Sequence, residues 1–370
     1  MKYITWISTG VVITGFALLC NQAPKETLLT PSLPLAELLD SIGQIHQIPG
    51  MAVVVVKDDT LIYETEGYIK LGKEDKVQVS TKFHLGSNTK AFTSWIAMKL
   101  VQAGKISLQT RVVDQLGINS YRKEYAEITL QDLLSHQARI RPYTSGKEFD
   151  KLPDKEGSSQ ERRQYFAELV LQEKPVKKGT YSNAGFAIAS RMLEIATDSS
   201  FEFLVAQAME ELQVDYCIGF PNKCDTLNAW GHWRETRSPR RGLQAVPLSH
   251  SYELLDVMLA AGDLSMNITD YGKWLQLHLQ GLQGADNLLP TGIYQKMHYF
   301  QDGYGLGWRN EKQGESRVSF HNGSAGTYYC QAYFSPDKNI ALAIFINSAQ
   351  KEAVQGVYKL RRLLINRFGS

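Results

Sequence analysis

Residues 83–100 read FHLGSNTKAFTSWIAMKL, and the rest of the chain is best understood from this stretch outward. Ser87 and Lys90 stand three apart at the head of a long apolar run. On a helix, positions i and i+3 share a face, so the hydroxyl and the amine can meet. A serine beside an amine that can shed its proton is one recipe for an activated nucleophile. Ala91, Phe92, Trp95, Ile96, Met98 and Leu100 make the segment apolar nearly all round. That pattern predicts a helix buried in the middle of a domain.

Ser-x-x-Lys discriminates little by itself, because it recurs at Ser120, Ser335 and Ser348. Ser335 precedes Pro336 in a hairpin turn, Ser348 lies past a strand end, and Ser120 sits in the polar loop SYRKEY. Only at Ser87 does the lysine fall where it loses solvent, which lowers the pKa of an amine. The plainer reading of the pair is an N-capping serine and a solvated lysine.

On the N-terminal side, Leu35, Leu38, Leu39, Ile42 and Ile45 keep helical spacing until Pro49-Gly50. MAVVVVKDDTLIYETEGY then reads as two strands joined at Asp58-Asp59-Thr60. Beyond Gly104 the chain turns to polar loops and amphipathic helices, at 160–173, 184–195, 201–212 and 269–280. Near residue 300 the character changes again. YGLGWRNE, SRVSFHNG, TYYCQAYFS and NIALAIFINS are rich in β-formers, and Val354, Val357, Leu360, Leu364 and Ile365 mark a closing helix. Strands at both ends with helices between them predict an α/β (α+β) unit. Its mostly antiparallel sheet, from about 35–100 and 300–370, is flanked by the N- and C-terminal helices, and about 101–299 form an inserted all-helical lobe.

With 40 basic and 38 acidic residues the net charge is +2, and no basic stripe carries interleaved aromatics. Nucleic acid is therefore not an expected partner. Met1 to Cys20 has one early lysine and an apolar run over about 4–19, which resembles an export signal. Asn21 to Pro34, with three prolines, reads as a tether. Cys20 raises lipid attachment beside two other outcomes, a cleaved signal and an uncleaved anchor; Leu19 stands where a lipoprotein signal has Gly, Ala or Ser. The expected location is periplasmic or outer-surface, and no second run is long enough to span a bilayer. Cys217 and Cys224 bracket a loop-like CIGFPNKC, readable as a disulfide or as two free thiols, while Cys330 reads as a buried, inert thiol. No cysteine–histidine spacing indicates a metal, and no cofactor is expected.

Two further motifs carry chemistry. Tyr181-Ser182-Asn183 lies between a glycine-containing loop and an apolar helix. The phenol could accept the Ser87 proton if neighbouring cations lower its pKa, and the Asn183 amide could tie Lys90 to a substrate carbonyl. His321-Asn322-Gly323-Ser324 ends a β-like run. Gly323 lets a substrate approach the backbone, and the following N–H can donate to an oxyanion. Taken singly, the tyrosine also reads as packing and the histidine as structural. A second His-x-Gly, at His84, leads straight into Ser87.

In this order, Ser87-x-x-Lys90, Tyr181-x-Asn183 and His321-x-Gly323 resemble the serine β-lactamase and penicillin-binding-protein-like family, in particular its class C β-lactamase/esterase branch. LQDLLSHQARI resembles that branch's LLSHTSGL, AAGDLSMNITDYGKW resembles its AGGL-S-T-x-D-L block, and YGLGWR is similar to a segment before its last strands. The resemblance covers the chain from about Leu35 onward. It implies a sheet domain and a helical domain with the site in the cleft between them. Ser87 would be acylated, Lys90 and Tyr181 would share general-base duty, and Asn183 would orient Lys90 and substrate. The N–H groups of Ser87 and Ser324 would form the oxyanion hole.

Two departures bear on substrate. His321-Asn322-Gly323 stands where β-lactamases carry Lys-Thr-Gly, and a histidine of ordinary pKa, about 6.5, is mostly neutral near neutrality. The site would then lack a fixed positive charge for a substrate carboxylate. Gln137-Ala138-Arg139 replaces Thr-Ser-Gly, which puts the conformation of that loop in question. Trp230-Gly231-His232-Trp233 and the basic run 234–241 read as a cleft rim or as a surface loop. The expected activity is hydrolysis of a small-molecule or peptide ester or amide, D-residue peptides included, through an acyl-Ser87 intermediate. The alternatives are a β-lactamase or D,D-carboxypeptidase, and a non-catalytic sensor that captures β-lactams or peptidoglycan fragments.

Overall fold

A computed structural model describes residues 29–144, 148, 155–234, 242–250 and 256–369. The segment 1–20, Cys20 included, most of the tether and the basic run 235–241 lie outside the described residues. The strands are β1 (Gly50–Lys57), β2 (Thr60–Gly67), β3 (Lys82–His84), β4 (Tyr216–Ile218), β5 (His232–Arg234) and β6 (Leu243–Ala245). They continue with β7 (Leu264–Asn267), β8 (Arg309–Gln313), β9 (Ser316–Ser324), β10 (Tyr329–Ser335) and β11 (Ile340–Ile346). The main sheet has the order β2-β1-β11-β10-β9-β8, and its neighbouring strands pair antiparallel. The two ends of the chain meet in its middle, where Met51 pairs with Ile346 and Lys57 with Ile340.

The run of four valines is explained by burial on both faces, which removes the alternation of a half-solvated strand. Val53 and Val55 point to one side, where Leu35, Leu38, Leu39 and Ile42 of the N-terminal helix (Leu35–Ile45) meet Val357, Leu360 and Leu364 of the C-terminal helix (Lys351–Phe368). Ala52, Val54 and Val56 point to the other, into a core shared with Phe83, Phe92, Trp95, Tyr271 and Trp274. The mixed α and antiparallel β architecture is the one expected.

Three details differ from the expectation. The middle of the chain, expected as an all-helical lobe, carries the short strands β4 to β7 and is not wholly separate: Tyr271, in the helix Ile268–Leu282, packs edge-on against Phe345 of β11 at 5.0 Å. A small sheet, β3-β7-β4, joins the segment before Ser87 to residues 216–218 and 264–267. In YGLGWRNE only the portion from Arg309 is strand, because Gly305 is pressed against the backbone of Met297 and His298 and Gly307 has φ +85°. Cys217 and Cys224 are joined as a disulfide with Cα atoms 6.6 Å apart, and Cys330 is free and buried. Among the described residues no helix is long and apolar enough to cross a membrane.

Trp274 stacks on Phe92 at 4.1 Å and meets Trp95 edge-on at 6.1 Å, so it bonds the sheet-covering helix to the Ser87 helix. Trp274→Ala should cost about 3–5 kcal/mol of stability, read as a lower denaturation midpoint at unchanged slope. A loss below about 1 kcal/mol would mean that this contact is peripheral.

Candidate active site

Ser87 occupies a 3₁₀ turn, Gly86–Asn88, that runs directly into the helix Thr89–Gln102. The first N–H groups of such a helix have no intrahelical acceptor, so they face outward as donors. Lys90, one turn later, is fully buried. Its Nζ lies 3.3 Å from Ser87 Oγ, 2.7 Å from Asn183 Oδ1 and 2.5 Å from the Ala261 carbonyl oxygen. Burial drives its pKa well below the ordinary lysine range, and the positive charge of Arg309 adds to the effect. A neutral amine has two N–H donors and one lone pair. The two carbonyl acceptors take the donors, which leaves the lone pair for the Ser87 hydroxyl.

Ser182 caps the helix Asn183–Thr197 by accepting from Gly185 N–H at 3.1 Å, which fixes Tyr181 and Asn183 on either side of the cap. Asn183 is held twice, its N–H donating to Pro142 O and its Nδ2 to Tyr143 O. The Tyr181 ring lies 4.9 Å from Lys90 Nζ. Burial pushes the phenol above its ordinary pKa, and the nearby Ser87 hydroxyl and Arg309 offset this only in part. Its oxygen makes no hydrogen bond of acceptable geometry with a described residue. His136 wedges behind it, with ring centroids 4.4 Å apart, and accepts from Ser182 N–H at 3.2 Å.

Across the cleft, β9 brings His321, Gly323 and Ser324 to the turn that carries Ser87. Any Cβ on Gly323 would collide with the Leu85 carbonyl oxygen. A Cβ on Gly86, whose φ is +51°, would lie 2.5 Å from Ser324 N. Further bonds hold the two segments together. Asn88 donates to His321 O at 3.2 Å and accepts from Gly323 N–H at 3.3 Å, and the Cys330 thiol donates to Leu85 O at 2.8 Å. The His321 ring is buried with both nitrogens engaged: Nδ1–H donates to Asn322 O at 2.9 Å, and Nε2 accepts from Tyr304 at 3.0 Å. Burial first, then the charges of Lys90 and Arg309, press its pKa far below the usual imidazole value. The ring is neutral.

Ser87, Tyr181, Asn183, His321, Gly323 and Ser324 thus line one cleft, with Lys90 beneath it. Arg309 lines it too, and sequence reasoning missed it. Its guanidinium carbon is 5.3 Å from the Tyr181 ring and 5.9 Å from that of Tyr304. Among the described residues no acidic one lines this cleft. The expectation that histidine in place of lysine leaves the site without a fixed positive charge is therefore corrected: Arg309 supplies one from β8. Its signal was present at the end of YGLGWR, but nothing in the sequence says which strand end faces Ser87.

Two other expectations have structural outcomes. Arg139 adopts φ +61°, so the loop keeps a left-handed turn where the resemblance has glycine, and Arg139 Nε donates to Val176 O at 3.2 Å. Trp230 and His232 do not line the cleft; His232 is buried, with its ring against Asn347 O and Leu71 N.

A family model described as Beta-lactamase matches residues 35–366. The Beta-lactamase of Escherichia coli (strain K12) is 27% identical over 272 residues, which are 71% of this chain. The chain spans 66%, just under two thirds, of that relative's own length. Among solved structures, the octameric penicillin-binding protein homologue from Pyrococcus abyssi superposes with a TM-score of 0.72 at 21% identity, over 90% of this chain and 77% of the other. The class C beta lactamase from Rhodobacter sphaeroides gives 0.68 at 17% identity, over 88% and 98%. At these identities the structural likeness establishes the fold.

Gly323→Ala should separate β9 from the turn that carries Ser87. The expected cost is about 1–3 kcal/mol in stability, as for overpacking elsewhere, measured by thermal or urea unfolding. A variant as stable as the parent would mean that the contact between β9 and Leu85 is loose.

Proposed function

The chain belongs to the beta-lactamase family, whose members point to serine hydrolase chemistry, and on that premise we propose that it cleaves an ester or amide through an acyl-Ser87 intermediate. The observation that carries this reading is the Lys90 amine, dehydrated, bonded to two carbonyl oxygens and 3.3 Å from Ser87 Oγ. Lys90 takes the serine proton as Oγ attacks the substrate carbonyl carbon. The oxyanion that forms is received by the N–H groups of Ser87 and Ser324. Tyr181, kept protonated by burial, delivers a proton to the leaving group and recovers one through Lys90. The C–O or C–N bond breaks, leaving Ser87 acylated. A water that gives its proton to the same Lys90/Tyr181 pair then attacks the acyl carbon, the Ser87 Oγ–acyl bond breaks, Oγ takes that proton back, and the acid is released.

The opposite pKa directions of Lys90 and Tyr181 divide work that the resemblance assigns to both: the amine is the resting base and the phenol the resting acid. Arg309 supports a narrower reading, in which the substrate presents a carboxylate on the β8 side of the cleft. A peptide ending in a D-residue would satisfy it, and so would an opened or intact β-lactam. A neutral, fully engaged His321 favours the peptide or ester over the β-lactam, because it cannot supply the second cation of Lys-Thr-Gly.

The test is incubation of the protein with a fluorophosphonate, a fluorescent penicillin, p-nitrophenyl esters and D-residue peptides, read by intact mass and turnover. Ser87 should be labelled, and labelling that persists in Ser87→Ala would sink the nucleophile assignment. Fast penicillin turnover would overturn the preference for ester or peptide. Tyr181→Phe should lower kcat by roughly 10²-fold or more with folding intact, and an unchanged rate would reject its role in proton transfer. kcat should fall on acidification as Lys90 gains its proton. In Arg309→Gln that acid limb should move to higher pH, because removing a neighbouring positive charge raises the amine's pKa. A limb that stays in place would separate Arg309 from the base.

A further inference from the structure

The first His-x-Gly of the chain, His84-Leu85-Gly86, has no part in the chemistry above, yet its ring is buried directly behind the nucleophile turn. Gly86 N–H donates to His84 Nδ1 at 3.0 Å, and His84 Nε2 lies 3.0 Å from Asp263 Oδ1. An amide N–H aimed at Nδ1 requires a lone pair there. The ring proton therefore sits on Nε2 and is donated to Asp263, which makes the imidazole neutral and fixes its tautomer.

Asp263 is fixed in its turn. Its N–H caps the short helix Leu259–Gly262, the helix whose Ala261 carbonyl accepts from Lys90. Its carbonyl accepts from Gly219 N–H at 2.8 Å, inside the loop closed by the Cys217–Cys224 disulfide. Phe220 of the same loop meets the His84 ring edge-on at 5.0 Å, and Tyr328 covers it at 5.9 Å. Every degree of freedom of the ring is taken up.

What the ring holds is Gly86, the residue that stands next to both proposed oxyanion donors. Ser87 N is the next backbone nitrogen, and a Cβ on Gly86 would lie 2.5 Å from Ser324 N. With φ at +51°, Gly86 takes a left-handed backbone that glycine adopts readily, held at its carbonyl by the Thr89 N–H and at its own N–H by His84. Resting on the acyl-Ser87 reading, we infer that His84, oriented by Asp263, is a positioning residue that sets the distance between the Ser87 and Ser324 N–H groups. Its effect falls on the step that develops negative oxygen, where a misplaced donor is felt most strongly.

Asparagine and glutamine separate this role from mere packing. The Asn side-chain oxygen reproduces the acceptor at Nδ1, whereas the Gln side-chain nitrogen reproduces the donor at Nε2. The experiment measures kcat and KM for p-nitrophenyl butyrate, and the rate of labelling by a fluorophosphonate, in the full chain and in His84→Ala, His84→Asn, His84→Gln and Ser87→Ala. His84→Ala and His84→Gln should lose about 10- to 100-fold in kcat and in labelling rate, with KM within about twofold, and His84→Asn should recover most of the loss. The inference is overturned if His84→Ala keeps its kcat within about twofold. It is also overturned if the Asn and Gln variants fall together, whatever their melting temperatures. The Asn/Gln contrast decides the matter even where the alanine variant does not fold. Turnover that survives in Ser87→Ala would instead remove the acyl-serine reading, and this inference with it.

Discussion

The structure depends on one close approach, the Leu85 carbonyl against the Cα of Gly323. It is possible only without a side chain at 323, and it brings a strand from the end of the chain against the turn that carries Ser87. Bonds from Asn88 and Cys330 hold it from both sides. Two peptide N–H groups nearly 240 residues apart in sequence are thereby set beside one hydroxyl. A hole for a developing oxyanion needs donors that are already aimed, since a donor that must first reorient returns part of its stabilisation as reorganisation. On the acyl-Ser87 reading, that aiming is a consequence of backbone packing.

Electrostatics in the cleft follow from dehydration more than from charge pairing. Lys90, His321 and His136 are all buried, and burial pushes each toward its neutral form, while Tyr181 and Tyr304 are pushed toward the protonated phenol. Among the described residues that line the cleft, Arg309 is the guanidinium, a group that does not surrender its proton. Among the described residues the cleft is thus an acid–base network held toward its neutral forms, with one cation at its edge. On the acyl-Ser87 reading, charge develops there only as the serine proton passes to Lys90 and the oxyanion forms, and the cation remains to orient an anionic group of a substrate.

Much of this was legible in the residues. The helix Phe201–Leu212 matches its expected bounds to the residue, and Leu35–Ile45 begins at the expected leucine but ends short of Pro49-Gly50; each buries a single apolar face against a neighbour. That Ser87, Tyr181 and His321 belong to one site was legible through the resemblance that their three motifs carry when taken in order. Other features were not. β7, LSMN, is four residues long and carries two polar side chains, yet it is wholly buried because it is the middle strand of a small sheet. Tyr304 to Trp308 has the composition of a strand, but two glycines pressed against backbone and helix bend it away. The meaning of Arg309 and His84 lies in what faces them from elements far along the chain, and no local pattern encodes that.

The pairing of β1 with β11 also has a consequence in time. The first long strand of the sheet is complete by Lys57, whereas its inner partner ends at Ile346, so β1 must wait for nearly the whole chain. Contacts of such sequence separation form late and slowly, since a long loop has to close before any of them is made. Ser324, the oxyanion donor of the acyl-Ser87 reading, belongs to the same late group of strands. On that reading a growing chain carries its serine and lysine for most of synthesis without the geometry that would make them reactive. The site is complete only when the last strands close the sheet, so the fold itself would act as the timer.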